Sequence, residues 1–328
     1  MRNIWSILLI ICSIKLLTSS WKINQQCEIQ NNTRLACVCS GNEVLQFPKD
    51  HNLRNISNIF ISSCSYVNLH ISDAMDPEGV RNIIIRNISR TLIFDSTVMT
   101  KNIENIEFLN IGVIHRIAGD STFKMAQHIK RFRIEDTNIE NFNAEFQNIS
   151  VTQFLFRNVT IARMIGLNFS KRGELLKIIN CTFRNIQSTL HFIFSTIEIR
   201  NSKFELQKPT DVSIVGDNTV VANSVFLNVS MNLVASNKIA VNNTCADGKS
   251  SLRLSARSIE SFGNRLPTEI IYPKNMGQDV PGLLLARNNT VCIAGNCKCI
   301  KSNAVGLYGQ LHGNIFNGIM LSIFILSL

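Results

Sequence analysis

Proline and histidine are both scarce in this chain. Six prolines in 328 residues, with no Gly/Ser-rich stretch breaking the middle, leave no interdomain linker. The six histidines are His51, His70, His115, His128, His191 and His312. No two of them have metal-ligand spacing and no His-Glu-X-X-His occurs. Gly-X-Ser-X-Gly and Gly-rich phosphate loops are absent. Glu135-Asp136 is the only adjacent acidic pair, and neighbours on a strand face opposite ways, so they do not form one site. Asp211 and Asp217 are six apart, and Asp120 stands alone. The densest acidic group, Asp73, Asp76 and Glu78, is interleaved with the turn residues Pro77 and Gly79 and lacks a calcium-loop pattern. No cofactor is expected, and no amphipathic helical stretch of useful length appears.

What the chain does have is a repeat. An aliphatic or aromatic residue, any residue, then a small polar residue recurs eight times, from Ile61-Ser62-Ser63 through Phe156-Arg157-Asn158 to Val221-Ala222-Asn223. The polar column falls at Ser63, Asn87, Asn110, Asp136, Asn158, Asn180, Asn201 and Asn223, with steps of 24, 23, 26, 22, 22, 21 and 22. A period near 22 predicts a solenoid whose coils bury their apolar faces against one another. Residues 21–302 then make about a dozen coils.

Both ends read as addresses. Arg2, the mostly apolar run Ile4 to Ile14 and the exit Thr18-Ser19-Ser20 predict a secretory signal over residues 1–20; eleven residues are too few to span a bilayer. Ser302, Asn303 and Ala304, an uncharged spacer, and the apolar terminus Ile315 to Leu328 follow the order of a glycosylphosphatidylinositol (GPI) signal. Ser302 or Asn303 is the expected attachment residue, with residues 303–328 removed. Ten sequons agree with secretion: Asn31, Asn55, Asn87, Asn148, Asn158, Asn168, Asn180, Asn228, Asn242 and Asn288.

Cys12 leaves with the signal. Of the other nine cysteines, Cys27, Cys37, Cys39 and Cys64 lie towards one end, and Cys245, Cys292, Cys297 and Cys299 towards the other. Two bridges within each group are expected, leaving Cys181 as a free core thiol; connectivity is not readable from sequence. Cys-X-Cys spacing in an oxidising compartment argues against zinc. The bridged segments, residues 21–54 and 246–302, are expected to cap the repeats at 55–245. A thiol nucleophile built from Cys181 and His191 is outweighed by a packed strand thiol.

The formal charge is +10; without Arg2 and Lys15 the chain has 31 basic and 23 acidic residues, or +8. That favours acidic partners such as sulfated glycans or anionic lipid, although scattered basic residues also describe a solvated outer face. Lys130-Arg131-Phe132-Arg133 is the densest basic run. No nucleic-acid motif appears, and no nucleic-acid partner is expected.

The coils read as strands. Ile197-Glu198-Ile199 and Phe132-Arg133-Ile134 alternate with period two, and Phe154-Leu155-Phe156 is apolar throughout. The strings Asn158-Val159-Thr160-Ile161, Asn180-Cys181-Thr182-Phe183, Asn201-Ser202-Lys203-Phe204 and Asn223-Ser224-Val225-Phe226 resemble coils of right-handed parallel β-helix (pectin-lyase-like) proteins. The resemblance covers about residues 55–245. It implies an all-β fold with three short strands per coil, and it makes a polysaccharide lyase or hydrolase an alternative function. A second resemblance is to leucine-rich repeats, in the frame Val151/Phe154/Phe156/Val159/Ile161 and in Cys37-Val38-Cys39-Ser40. That frame's Asn position holds Cys64, Ile88, Ile111, Thr137, Val159, Cys181, Ser202 and Ser224 instead.

The reading is an all-β solenoid at the extracellular face of the membrane, binding protein or glycan without catalysis. The alternatives are the enzyme and a structural matrix component. One conflict stays open: Asn87, Asn158 and Asn180 belong both to the repeated column and to sequons, and an inward column could not carry glycan.

Overall fold

A computed structural model describes residues 20–45, 53–69, 79–94, 101–118, 126–146, 148–247, 251–266 and 283–291, and Cys299. It is all strand, a parallel β-helix of about 9 turns. Among the described residues twenty strands form one continuous hydrogen-bonded network that bends round the coil. Every pairing is parallel except β1 (Ser20–Lys22) with β2 (Cys27–Gln30) and β2 with β3 (Arg34–Val38). Among the described residues there is no helix, which removes the leucine-rich alternative. The turn count is slightly below the dozen expected. β1 already begins at Ser20, the last residue of the expected signal.

The parallel stack is longer than the span of residues 55–245. Arg34 to Val38 pair with β4 (Asn58–Ser62), so the first rung lies inside the expected amino-terminal cap. At the far end the strands Ser251–Ser255, Ser258–Phe262 and Leu283–Arg287 continue the stack.

The polar column is the corner of the coil. Ser63, Asn87, Asn110, Asp136, Asn158, Asn180, Asn201 and Asn223 all have φ between 50° and 62°. The column runs on through Asn243 (48°), Gly263 (62°) and Asn288 (54°). A left-handed residue costs a Cβ-bearing side chain about 1–2 kcal/mol, least for Asn, Asp and Gly, which explains the composition. The side chains stand outside and link neighbouring coils. Asn110 donates to Asn87 at 3.0 Å, Asn158 to Asp136 at 2.7 Å, Asn180 to Asn158 at 3.1 Å and Asn243 to Asn223 at 3.3 Å. The column is therefore outward, and its sequons are not closed inside the coil.

The next residue turns in. Cys64, Ile88, Ile111, Thr137, Val159, Cys181, Ser202, Ser224, Thr244 and Asn264 are all buried. The polar members form an internal ladder. The Ser202 hydroxyl donates to the Arg200 carbonyl at 2.7 Å and accepts the Cys181 amide of the previous coil at 3.1 Å. The Ser224 hydroxyl donates to the Ala222 carbonyl at 2.9 Å and accepts the Ser202 amide at 3.3 Å. Asn264 accepts the Thr244 amide at 2.8 Å. The corner leaves these backbone groups without a strand partner, and the side chains satisfy them.

Three strand directions enclose an apolar core. The first wall precedes the corner and stacks Ile59, Ile83, Ile106, Phe132, Phe154, Leu176 and Ile197 inward in register. The second follows the corner and stacks Ile161, Phe183, Phe204 and Phe226; the third stacks Phe192, Ile214, Leu233 and Leu254. Phenylalanines fill the centre, with Phe132 on Phe154 (5.3 Å between ring centroids) and Phe146 on Phe169 (4.9 Å). A Cβ at Gly173 would lie 2.2 Å from the Val151 carbonyl oxygen and 2.3 Å from the Phe194 ring, so only glycine fits.

Disulfides tie the ends: Cys27–Cys37 closes the opening hairpin, Cys39–Cys64 joins the first two rungs, and Cys245–Cys299 clips the final segment to an earlier coil. Cys292 and Cys297 lie outside the described residues, as do Ser302 and Asn303. Cys181 is free and buried. The bridges place the chain in an oxidising, non-cytoplasmic compartment.

Candidate functional site

Alternation along each first-wall strand puts every second residue outside. Three outward positions per rung, repeated down the stack, make a broad flat face. Its columns follow from the strand register. One runs Arg34, Asn58, Asn82, Asn105, Arg131, Gln153 and Leu175. The next runs Phe60, Ile84, Glu107, Arg133, Leu155, Lys177 and Glu198. The third, beside the corner, runs Arg86, Leu109, Glu135, Arg157, Ile179 and Arg200.

The charges are organised across rungs. Glu107 accepts from Arg131 at 3.5 Å and faces Arg133 at 3.6 Å, while Arg133 donates to Glu135 at 2.9 Å. Glu198 pairs with Lys177 at 3.3 Å and with Arg200 at 2.5 Å. Lys238 pairs with Glu260 at 2.6 Å. The Glu135 hydrogen bond lifts the Arg133 guanidinium above its ordinary value, outweighing burial. At Glu198 burial pushes the carboxyl up, but the Arg200 and Lys177 hydrogen bonds and charges together outweigh it and hold the pKa low. Arg133 and Glu198 therefore both stay charged at neutral pH.

Apolar side chains sit among them. Ile84, Leu109, Leu155, Leu175 and Ile179 point outward and are only partly covered. At the amino-terminal end, Arg34 and Arg86 both lie over the Phe60 ring, at 4.9 and 4.7 Å from its centroid. Asn82 donates to Asn58 and Asn105 to Asn82, both at 2.6 Å, a second surface ladder.

The candidate catalytic groups do not converge. Glu135 lies on the first outer face and Asp136 at the corner. Asp211 is exposed on the third wall. Asp217 is tied to Arg172 at 2.5 Å and to Ser236 at 2.6 Å; the Ser236 bond, then the Arg172 bond, hold its carboxyl below the usual range. Cys181 points into the core and its thiol donates to the Ile179 carbonyl at 3.3 Å; burial pushes its pKa up to about 12, against the lowering effect of backbone hydrogen bonds. His191 stands on the outer side of the third wall, its pKa lowered by burial. The wall itself separates the two. Among the described residues no group of three or more His, Cys, Asp or Glu could hold a metal ion. Asp73, Asp76, Glu78, Asp120, His51, His70 and His312 lie outside the described residues.

Two shallow clefts open away from the first outer face. One of about 320 Å³ is lined by His115, Arg116, Asn141, Asn143, Arg163 and Ile165, with His115 paired to Glu140 at 2.5 Å. The other, about 340 Å³, lies around Asp211, Ser230, Ser251 and Arg253. Neither brings two carboxylates together.

Sequons divide by exposure. Asn31, Asn55, Asn87, Asn148, Asn158, Asn180 and Asn288 are exposed, whereas Asn168, Asn228 and Asn242 are partly covered. Asn228 spends its amide on the Leu206 carbonyl at 3.1 Å, and the carbonyl oxygens of Asn168 and Asn242 are buried without a partner.

No family model, curated protein or solved structure matches the chain. The site therefore has to be read from its own geometry.

Proposed function

We infer that this is a secreted, N-glycosylated recognition or adhesion protein, held on the outer surface of the cell by a GPI anchor, and that it works without catalysis through the first outer face. The observation that carries the reading is the make-up of that face. Half-covered Leu155, Leu175 and Ile179 lie among ion pairs within and across rungs, on a wall whose register is fixed by the coil. Such a surface combines apolar contact area with pre-positioned charge, which is what a recognition interface uses. The scattered carboxylates weigh against the acid-and-base pair of a glycoside hydrolase. The signal, the tail and the sequons supply the address.

The address and the activity are tested together. Cells expressing the full chain are treated with a phosphatidylinositol-specific phospholipase, and the released protein is offered to fresh cells. Release followed by saturable rebinding supports the reading. Retention of residues 303–328 in the mature protein contradicts the anchor, and turnover of a polyuronide contradicts the non-catalytic role.

A further inference from the structure

We propose that the first outer face binds a linear sulfated glycan laid along the solenoid axis over the rungs from Arg131 to Arg200. The proposal rests on the recognition reading above and names its partner.

Charge comes first. The three outward columns carry nine basic residues: Arg34, Arg86, Arg131, Arg133, Arg157, Lys177, Arg200, Lys238 and Arg287. Against them stand four acids, Glu107, Glu135, Glu198 and Glu260, and every one is already paired to a basic residue of the same face. The excess is therefore positive and not cancelled locally. Arg157 is exposed and makes no ion pair among the described residues. A surface of one dominant sign attracts a polyanion and loses that attraction as salt rises.

Spacing comes second. Parallel rungs lie about 4.8 Å apart. Arg157 and Arg200 occupy one column two rungs apart, hence about 9.6 Å, a distance on the scale of two linked sugars. Arg131 and Arg133 stand on the rung before Arg157, and Lys177 on the rung after it. Cationic groups thus recur along the axis at the rhythm of a repeating anionic chain, on a flat face long enough to take several repeats.

The side chains are also prepared. The guanidinium groups of Arg133 and Arg200 are held by Glu135 and Glu198, so less freedom is lost when a sulfate arrives. A guanidinium fork matches the oxygen pairs of sulfate, as it does those of carboxylate and phosphate. Leu155 and Ile179 lie between these groups and offer apolar floor to the faces of sugar rings.

The test uses the full-length protein made in a secreting eukaryotic cell, with heparin and chemically desulfated heparin as probes. Binding is measured across a sodium chloride series. The proposal expects heparin to bind, desulfated heparin to fail, and affinity to fall with salt. The triple variant R131Q/R157Q/R200Q should lose about tenfold or more. E198Q removes the negative charge beside Lys177 and Arg200 while its amide oxygen can still accept from the Arg200 guanidinium, so it should bind more tightly, a gain that misfolding cannot mimic. R116Q/R163Q/R184Q, on the other side of the coil, should bind as the parent does. Absence of heparin binding, equal binding of the desulfated chain, equal loss in the two triple variants, or no gain in E198Q overturns the proposal. If heparin binding fails while cell binding still depends on Leu155 and Ile179, the recognition reading stands and its partner is an acidic protein. If both fail, both readings fall.

Discussion

Asn201 donates its side-chain amide to the Asn180 carbonyl oxygen at 3.0 Å, one coil away at the same left-handed corner. This contact joins the two reasons for the repeated column: the residue tolerates positive φ, and its amide continues a ladder down the outside of the solenoid. Asn201 is not in a sequon, so its role can be separated from glycosylation. Asn201→Gly keeps the backbone and loses the rung. Asn201→Ala loses the rung and strains the corner. Denaturant unfolding should rank parent above glycine above alanine, with alanine costing about 2 kcal/mol in all. Equal stability of the glycine and alanine variants would show that the corner carries no conformational demand.

The inner ladder should be the more sensitive of the two. Ser202→Ala removes the acceptor of the Cys181 amide and the donor to the Arg200 carbonyl inside the core. A cost of about 1–3 kcal/mol is expected, from buried groups left unpaired. Hydrogen exchange should show faster exchange at the Cys181 amide in particular.

Cys181 makes stability depend on alkaline pH. Its folded pKa, about 12, lies above the ordinary value of 9.0 because burial favours the neutral thiol. The folded state therefore holds a proton that the unfolded chain releases. The contribution is complete below about pH 9 and is lost progressively as pH rises towards 12. Cys181→Val should flatten that part of the stability curve relative to the parent, and the native thiol should resist alkylation at pH 8.

Gly173→Ala should fail for a steric reason. The added Cβ meets the Val151 carbonyl oxygen and the Phe194 ring, so wall and core must both give way. Destabilisation of about 1–3 kcal/mol follows from overpacking. A lowered melting temperature with unchanged strand content by circular dichroism is the expected signature.

Glycopeptide mapping should find glycan at exposed sequons and none at Asn242. Its carbonyl oxygen is buried, and its sequon threonine, Thr244, belongs to the inner ladder. Asn158 and Asn180 share the corner ladder and lie one rung apart, so glycan on both in one molecule should be rare.

The column, the strands and the solenoid were legible because corner chemistry repeats at nearly constant spacing. Asn180-Cys181-Thr182-Phe183 already contains one turn of the logic: left-handed corner, inward small residue, outward strand residue, inward aromatic. The same fact explains why sequons recur in the column, since Asn followed two residues later by Thr also suits corner and strand. The second bend is not legible in the sequence. Asn185 and Asn228 also adopt positive φ and donate to the coil before, at 3.0 Å to the Ala162 carbonyl and 3.1 Å to the Leu206 carbonyl. Register shifts along the second and third walls, as between Phe183 and Ile186, blur their period. The charged face was hidden for another reason. Glu107 and Arg131 are 24 residues apart, and only the coil register makes them neighbours. The alternation of Phe132-Arg133-Ile134 already turns Phe132 inward and Arg133 outward, but the sequence alone does not show which acids of the neighbouring coils the arginines meet. Projecting the sequence on the corner column would have brought these charges together.

The central claim is that one face of the solenoid does the recognising. Binding of the released protein to cells, compared between L155D/I179D on the first wall and V215D/V234D on the third, tests it most directly. Both pairs are outward and partly covered, so their costs to folding should match. The account predicts that the first pair loses cell binding and the second keeps it. Equal binding by the two variants would contradict it.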